Sequence, residues 1–142
     1  MRGFTLIEII VVLVIVGVLA TLGFTNYARM IEKSRGAEAR AILGNIRTQA
    51  AAYRLETGAA TNFTAQMAGI GGGDDQIPDA CSTKHYFSYS LLVNPVVGDK
   101  LEAKATRCTA GGKAPQASAG FTLILTSDFT AGTDVWSGTG GY

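Results

Sequence analysis

The sequence predicts an α+β protein, with one long N-terminal α-helix packed against a C-terminal antiparallel β-sheet. Three observations lead there. An apolar run from Phe4 to Phe24 passes, without a proline, into a helix-forming segment that reaches Gly58. The second half of the chain alternates apolar and polar residues with period two, and clusters of Gly, Pro, Asn and Asp separate those runs. At 142 residues the chain holds one domain, and setting aside a membrane-length segment leaves a modest head with a limited core.

The first element is the apolar run. As a helix, Phe4 to Phe24 extends for roughly 30 Å, the hydrocarbon thickness of a bilayer. Glu8 is the one charge inside it, and an intramembrane carboxylate costs at least about 2.5–3.5 kcal/mol, so it marks a function and a partner. Met1-Arg2-Gly3 precedes the run as a short basic leader, which places that end on the cytoplasmic side and the C-terminal bulk outside. A secretory signal has an apolar core of about 7–15 residues and a small-x-small cleavage site; this run is longer. An ordinary single-span anchor has no use for Glu8, whereas a subunit that meets its own copies finds a partner for it there.

Gly3-Phe4-Thr5-Leu6-Ile7-Glu8, with the apolar run behind it, resembles the N-terminus of the type IV pilin and type II secretion pseudopilin family, most like a type IV pilin. The resemblance covers about Gly3 to Tyr27, including Gly17 and Tyr27. It implies cleavage after Gly3 by a prepilin peptidase, N-methylation of Phe4, and residence in the inner membrane before assembly. It further implies that Glu8 pairs with the amine of Phe4 in a neighbouring subunit of a helical homopolymer, built on an inner-membrane assembly platform. Thr25 stands where major pilins usually carry the proline linked to stem unwinding, a departure that favours a minor pilin or pseudopilin.

The helix continues from Tyr27 to Glu56 on good helix formers, and Ala39, Ile42, Ile46, Ala50 and Tyr53 define one apolar face. Thr57-Gly58 is its stop, because glycine takes the left-handed conformation that ends helices. Gly17 and Gly23 weaken the rod by about 1 kcal/mol each against alanine, and read equally as close-approach sites or as small residues common in membrane helices. Phe24 and Tyr27 fall where a bilayer interface would lie. Residues 59–80 form a linking loop with a short helix around Phe63 to Met67, and Gly71 to Gly73 is a turn that lacks the lysine of a phosphate loop.

Strands follow. Phe87, Tyr89 and Leu91 alternate with Tyr86, Ser88 and Ser90; Leu101, Ala103 and Ala105 alternate with Glu102, Lys104 and Thr106. Phe121, Leu123 and Leu125 alternate with Thr122, Ile124 and Thr126, and Val135-Trp136 forms a short last strand. The division is a leader at 1–3, a polymerisation helix at 4–27, an amphipathic half at 28–57, a linking loop at 58–83 and a β-sheet head at 84–142.

Cys81 and Cys108 lie in the exported part, where an oxidising compartment and an even count favour one disulfide. It would close a loop of about 28 residues and contribute roughly 3 kcal/mol by the chain-entropy model. A metal pair is the rival, but only His85 stands near, and zinc wants four ligands. His85 is the only histidine and no serine or cysteine motif accompanies it, so the expectation is a strand-borne surface or half-buried histidine and no enzyme activity. Asp74, Asp75 and Asp79 form one acidic loop and Asp128 and Asp134 another. Major pseudopilins bind calcium in a C-terminal loop, but these aspartates lack a dense ligand series and read as solvated turn residues, with no metal or cofactor expected.

With Arg2 removed, eleven basic side chains face eleven acidic ones, which argues against nucleic-acid binding. The functional expectation is a structural subunit of a type IV pilus-like filament at the cell surface. Its nearest rival is a periplasmic type II secretion pseudopilin, or a minor pilin. A rival of another class is a monomeric, membrane-anchored binding module whose head takes a ligand, for which no pocket motif speaks.

Overall fold

The computed structural model describes residues 5–72, 77–82, 84–109 and 121–139, with the side chains of Thr25, Ala28 and Arg29 left aside. Gly3, Phe4, Asp74 and Asp75 lie outside these described residues. The chain is α+β: helix α1 (Leu6–Thr57) is followed by strands β1 (Phe87–Leu91), β2 (Lys100–Arg107), β3 (Thr122–Asp128) and β4 (Thr133–Gly138). The strands form one antiparallel sheet in the order β1-β2-β3-β4, each paired with the strand next in sequence.

Helix α1 has 52 residues, roughly 78 Å at 1.5 Å per residue. Thr5 caps its start, its hydroxyl accepting the Glu8 N–H at 3.4 Å. Gly58 ends it at φ 87°, where its N–H donates to the Arg54 carbonyl at 2.8 Å. From Leu6 to Phe24 the helix is apolar apart from Glu8 and Thr21, and no described residue covers it. Burial begins at Gly36 and recurs at Ala39, Leu43, Ile46 and Ala50, a three-four spacing that keeps one stripe against the sheet. The seam therefore runs through Leu43, which is fully buried, while Ile42 and Tyr53 flank it, half-buried. Leu43 precedes Gly44, and the two apolar neighbours Ile42 and Leu43 both fit a helical stripe; contact with the sheet, not spacing, selects between them.

The helix packs chiefly on β2 and β3. Phe87, Tyr89 and Leu91 of β1, Leu101, Ala103 and Ala105 of β2, and Leu123 and Leu125 of β3 face it and are buried. The alternate residues of these strands are half-buried or exposed, as period two requires of a sheet covered on one side. Strand β4 differs: all six of its residues are exposed, because it extends past the edge of the helix.

The linking segment belongs to the core. Ala60, Phe63, Ala68 and Ile70 are buried, and the Phe63 ring sits 5.7 Å from that of Tyr53 at the helix end. The short helix expected around Phe63 to Met67 is instead a single hydrogen-bonded turn, with Ala68 N–H donating to Thr64 O and Ile70 N–H to Ala65 O. It stops there because the chain is captured on both sides. Val96 N–H donates to Phe63 O, Asn62 N–H to Val96 O, and Ala65 N–H to the Asn94 side chain. An Ile70–Ile77 bridge and the Tyr89 N–H to Pro78 O bond then fasten the segment beside β1.

Candidate functional site

Two regions carry charge in apolar surroundings, one on the stem and one where the stem meets the head. On the stem, Leu6–Phe24 has a mean hydropathy of 2.8 and is wholly unburied within the chain. Among the described residues it is the one helical segment long and apolar enough to cross a membrane. Glu8 is its single acidic residue, in the first turn and exposed, with no basic partner among the described residues.

Local chemistry supplies a second reason for that position. Thr5 and Glu8 stand at the cap and third helical positions, the spacing of a capping box, and a carboxylate in the first turn opposes the positive end of the helix dipole. That contribution is about 0.3–1 kcal/mol. It is smaller than the cost of carrying the charge into hydrocarbon, so capping alone does not account for a carboxylate here. Gly17 and Gly23 have open space around them, and a Cβ added to either would meet nothing within 4 Å among the described residues. Their bareness is available to another molecule only.

The second region is a buried ion pair. Arg107 is the last inward-facing residue of β2, its side chain fully shielded from solvent. Its Nε donates to Glu32 Oε1 at 2.6 Å and Nη2 to Oε2 at 3.3 Å, a two-pronged contact with the helix. Its Nη1 donates to the carbonyls of Tyr86 and Cys108 at 3.1 and 2.7 Å. Arg35 pairs with the same Glu32 at 3.1 Å, and its guanidinium lies 4.2 Å from the centre of the Tyr86 ring. Beside this network Cys81 and Cys108 are joined in a disulfide, with Cα atoms 5.3 Å apart. Helix, β1, β2 and the linking segment are thus fastened together where the head-bearing half of the helix begins.

The far end has its own clamp. Asp99 accepts hydrogen bonds from Ala60 N–H at 2.7 Å, from Arg54 at 3.1 Å and from Thr130 at 3.4 Å. The Ala60 N–H first, and then Arg54 and Thr130, hold its carboxyl below the ordinary value of 3.8. Asp134 is held low in the same sense by its 2.8 Å bond from Arg47. Burial, with Glu38 adding to it, pushes the Tyr89 hydroxyl well above its ordinary range, so it stays neutral inside the head.

Asp128 accepts from the N–H groups of Thr130 and Ala131 and so shapes the β3–β4 turn. With Asp134 on Arg47, both C-terminal aspartates have structural partners, and among the described residues no three His, Cys, Asp or Glu side chains gather as a metal site. His85 is half-buried two residues before β1 and not on a strand as expected, because pairing with β2 begins only at Phe87. Sequence reasoning missed Arg107 and Glu32. A signal for Arg107 was present: the alternation through Leu101, Ala103 and Ala105 continues to position 107 and turns it inward. No spacing rule reaches the 75 residues to Glu32.

The family model for the prokaryotic N-terminal methylation motif matches residues 1–24, so the chain carries the prepilin signature of type IV pilins and pseudopilins. No curated protein and no solved structure matches the chain with significance.

Proposed function

We propose that the chain is a structural subunit of a type IV pilus-like surface filament, cleaved after Gly3, methylated on Phe4 and polymerised through its N-terminal helix. The observation that carries this reading is the methylation motif placed on a helix whose 19-residue apolar stretch is left bare by the chain's own head. Before assembly, lipid covers that surface and the inner membrane holds the subunit. In the filament, the stems of other copies take the place of lipid. Glu8 then faces the Phe4 amine of a neighbour, since neither charge can stay alone in a dry core.

The division of labour follows. Residues 1–3 are a processing signal, 4–27 the polymerising stem, 28–57 the amphipathic half that carries the head, 58–83 the linking segment and 84–142 the head. The partners are further copies of the chain, a prepilin peptidase and methyltransferase, and an inner-membrane assembly platform. The reading includes no enzymatic role for the head.

One observation favours a second reading as a type II secretion pseudopilin or a minor pilin: α1 passes through Thr25 without a break, on a residue that does not favour unwinding as proline does. Two measurements test these. Mass spectrometry of assembled material should find a mature chain beginning at methylated Phe4; an intact Met1 terminus there overturns the processing and assembly claim. Filaments sheared from the cell surface should contain the chain as their main component. Its confinement to short periplasmic assemblies would transfer the assignment to the pseudopilin reading.

A further inference from the structure

We infer that, in the filament, the stem-distal cap of one copy seats on the neck of the next copy, around Tyr27 and Met30; the inference rests on the reading of the chain as a filament subunit. The cap is the end of α1 joined to the β1–β2 loop. Among the described residues beyond the neck, seven large apolar side chains are exposed, and four of them, Leu55, Leu92, Val93 and Val97, belong to this cap. Leu55 is 85% exposed and Val97 70%, and between Leu92 and Gly98 only Val96 is buried. Apolar side chains gathered at one pole mark an interaction surface, which singly scattered ones do not.

Hydrogen bonds hold the cap in shape. The Thr61 hydroxyl donates to the Gly98 carbonyl at 3.0 Å, and the Asn62–Val96 and Val96–Phe63 backbone bonds, at 2.9 and 2.8 Å, join the loop to the chain leaving the helix. Leu55 stands about 140° round the helix from the buried Ala50, so it points away from the sheet. The neck is bare as well. Tyr27 and Met30 are exposed, and Met30 lies about 9 Å past Phe24, outside the hydrocarbon that covers the stem before assembly. Tyr27 and Leu55 are roughly 42 Å apart along the helix, so parallel copies shifted by that height set one copy's cap beside the next copy's neck.

Charge selects this pairing of ends. The Arg54–Asp99 pair marks the far end of the head and the Arg107–Glu32 pair its stem side. Divided at the level of Leu43 and Ala103, the described residues of the head hold six cations and three carboxylates on the stem side, but three cations and five carboxylates on the far side. The far cations, Arg47, Arg54 and Lys100, all pair with carboxylates of their own head, which leaves Glu56 and Asp128 unmatched there. The cations with no carboxylate partner among the described residues, Lys33, Arg40, Lys84 and Lys104, are all on the stem side. Opposite ends of two copies therefore attract and like ends repel, so the cap meets a neck and not another cap. Glu56 adjoins Leu55, and Lys33 is one turn beyond Met30; both charges are exposed. Such a head-to-tail contact leaves every copy with one end filled and one open, and so repeats along a fibre.

Cross-linking tests the seat. Filaments carrying Met30→Cys together with Leu55→Cys are treated with a short bismaleimide and separated under denaturing conditions. Within one copy the two positions are roughly 38 Å apart, beyond the linker's reach, so any link joins different copies. The doubly substituted chain should give a ladder of covalent multimers, and peptide mapping should place the link between positions 30 and 55. Either substitution alone should leave monomers. As an independent measure, Glu56→Lys should lower filament yield about two- to fivefold, the worth of one surface ion pair, and adding Lys33→Glu should restore it. The thermal midpoint of the head should stay in place in each variant, since all four side chains are exposed. Filaments that form without a ladder, or a Glu56→Lys loss that Lys33→Glu does not repair, overturn the seat and leave the filament reading standing. Dimers from Leu55→Cys alone would show cap meeting cap and overturn it as well. Failure of the unsubstituted chain to assemble removes the filament reading and the seat together.

Discussion

Arg107 keeps its charge where no solvent reaches it, so its acceptors determine whether the inner end of the head stays on the stem. The pair with Glu32 is asymmetric. Glu32 is partly exposed and also held by Arg35, whereas Arg107 has no water to fall back on. Glu32→Gln should therefore be the costlier change, about 3–5 kcal/mol, because it takes the Glu32 carboxylate away from a buried cation. Arg107→Met leaves Glu32 with Arg35 and solvent, and should cost less, about 1–3 kcal/mol. Urea unfolding of the full chain in micelles, followed by Trp136 emission, measures both. The double variant should lose less than the two single losses added together, and strict additivity would mean that the two side chains do not act as a pair.

Between elements, two fastenings hold the head: the Cys81–Cys108 disulfide at the Arg107 end and Asp99 at the other. Loss of the bridge should cost roughly 3 kcal/mol by the chain-entropy model, and hydrogen exchange should rise first around residues 77–82 and β1, not along α1. Uniform loosening of helix and sheet would mean that the bridge is not a local fastening. Asp99 gives a pH dependence whose sign is determined by its lowered folded pKa. Its contribution is present above the unfolded value of about 3.9 and is lost as the pH falls through the lower folded value. The thermal midpoint should therefore drop below about pH 4, and Asp99→Asn should flatten that part of the profile. Much of this scale was legible in the sequence. Gly58 as the helix stop and the inward sets of β1, β2 and β3 follow from backbone conformation and period two, which are local. Three features were not legible, because each depends on contact between distant segments: the choice of Leu43 over Ile42 for the seam, the capture of residues 60–70 by Val96 and Asn94, and the exposure of β4 on both faces. The Thr5–Glu8 capping arrangement was local and readable, but the apolar run around Glu8 drew the reading to charge alone.

On the scale of the whole molecule, the chain satisfies its own head and leaves its stem for others. Buried residues from Ala39 to Leu125 close a core by themselves, while Leu6 to Phe24 has no cover among the described residues. Stem and head should accordingly separate under substitution, and Glu8 offers the sharpest separation because it has two possible jobs. As a carboxylate in the first turn it stabilises the helix start by its charge against the dipole, about 0.3–1 kcal/mol. As a docking residue in a filament it compensates a neighbour's buried amine, and its removal costs about 3–5 kcal/mol per contact. Glu8→Gln and Glu8→Ala both remove that charge, and both keep the residue 8 N–H donating to the Thr5 hydroxyl, because that bond is made by the backbone. If docking governs, both variants should insert, be cleaved after Gly3 and keep the Cys81–Cys108 bridge, yet yield few filaments, with Gln failing nearly as badly as Ala. If the local charge effect governs, both variants should assemble almost normally, because so small a loss leaves the stem helical. Filament yield after shearing, normalised to processed subunit in the membrane, decides between them. Normal assembly of the Gln variant would remove Glu8 from the docking role and leave the bare stem to associate through apolar packing alone.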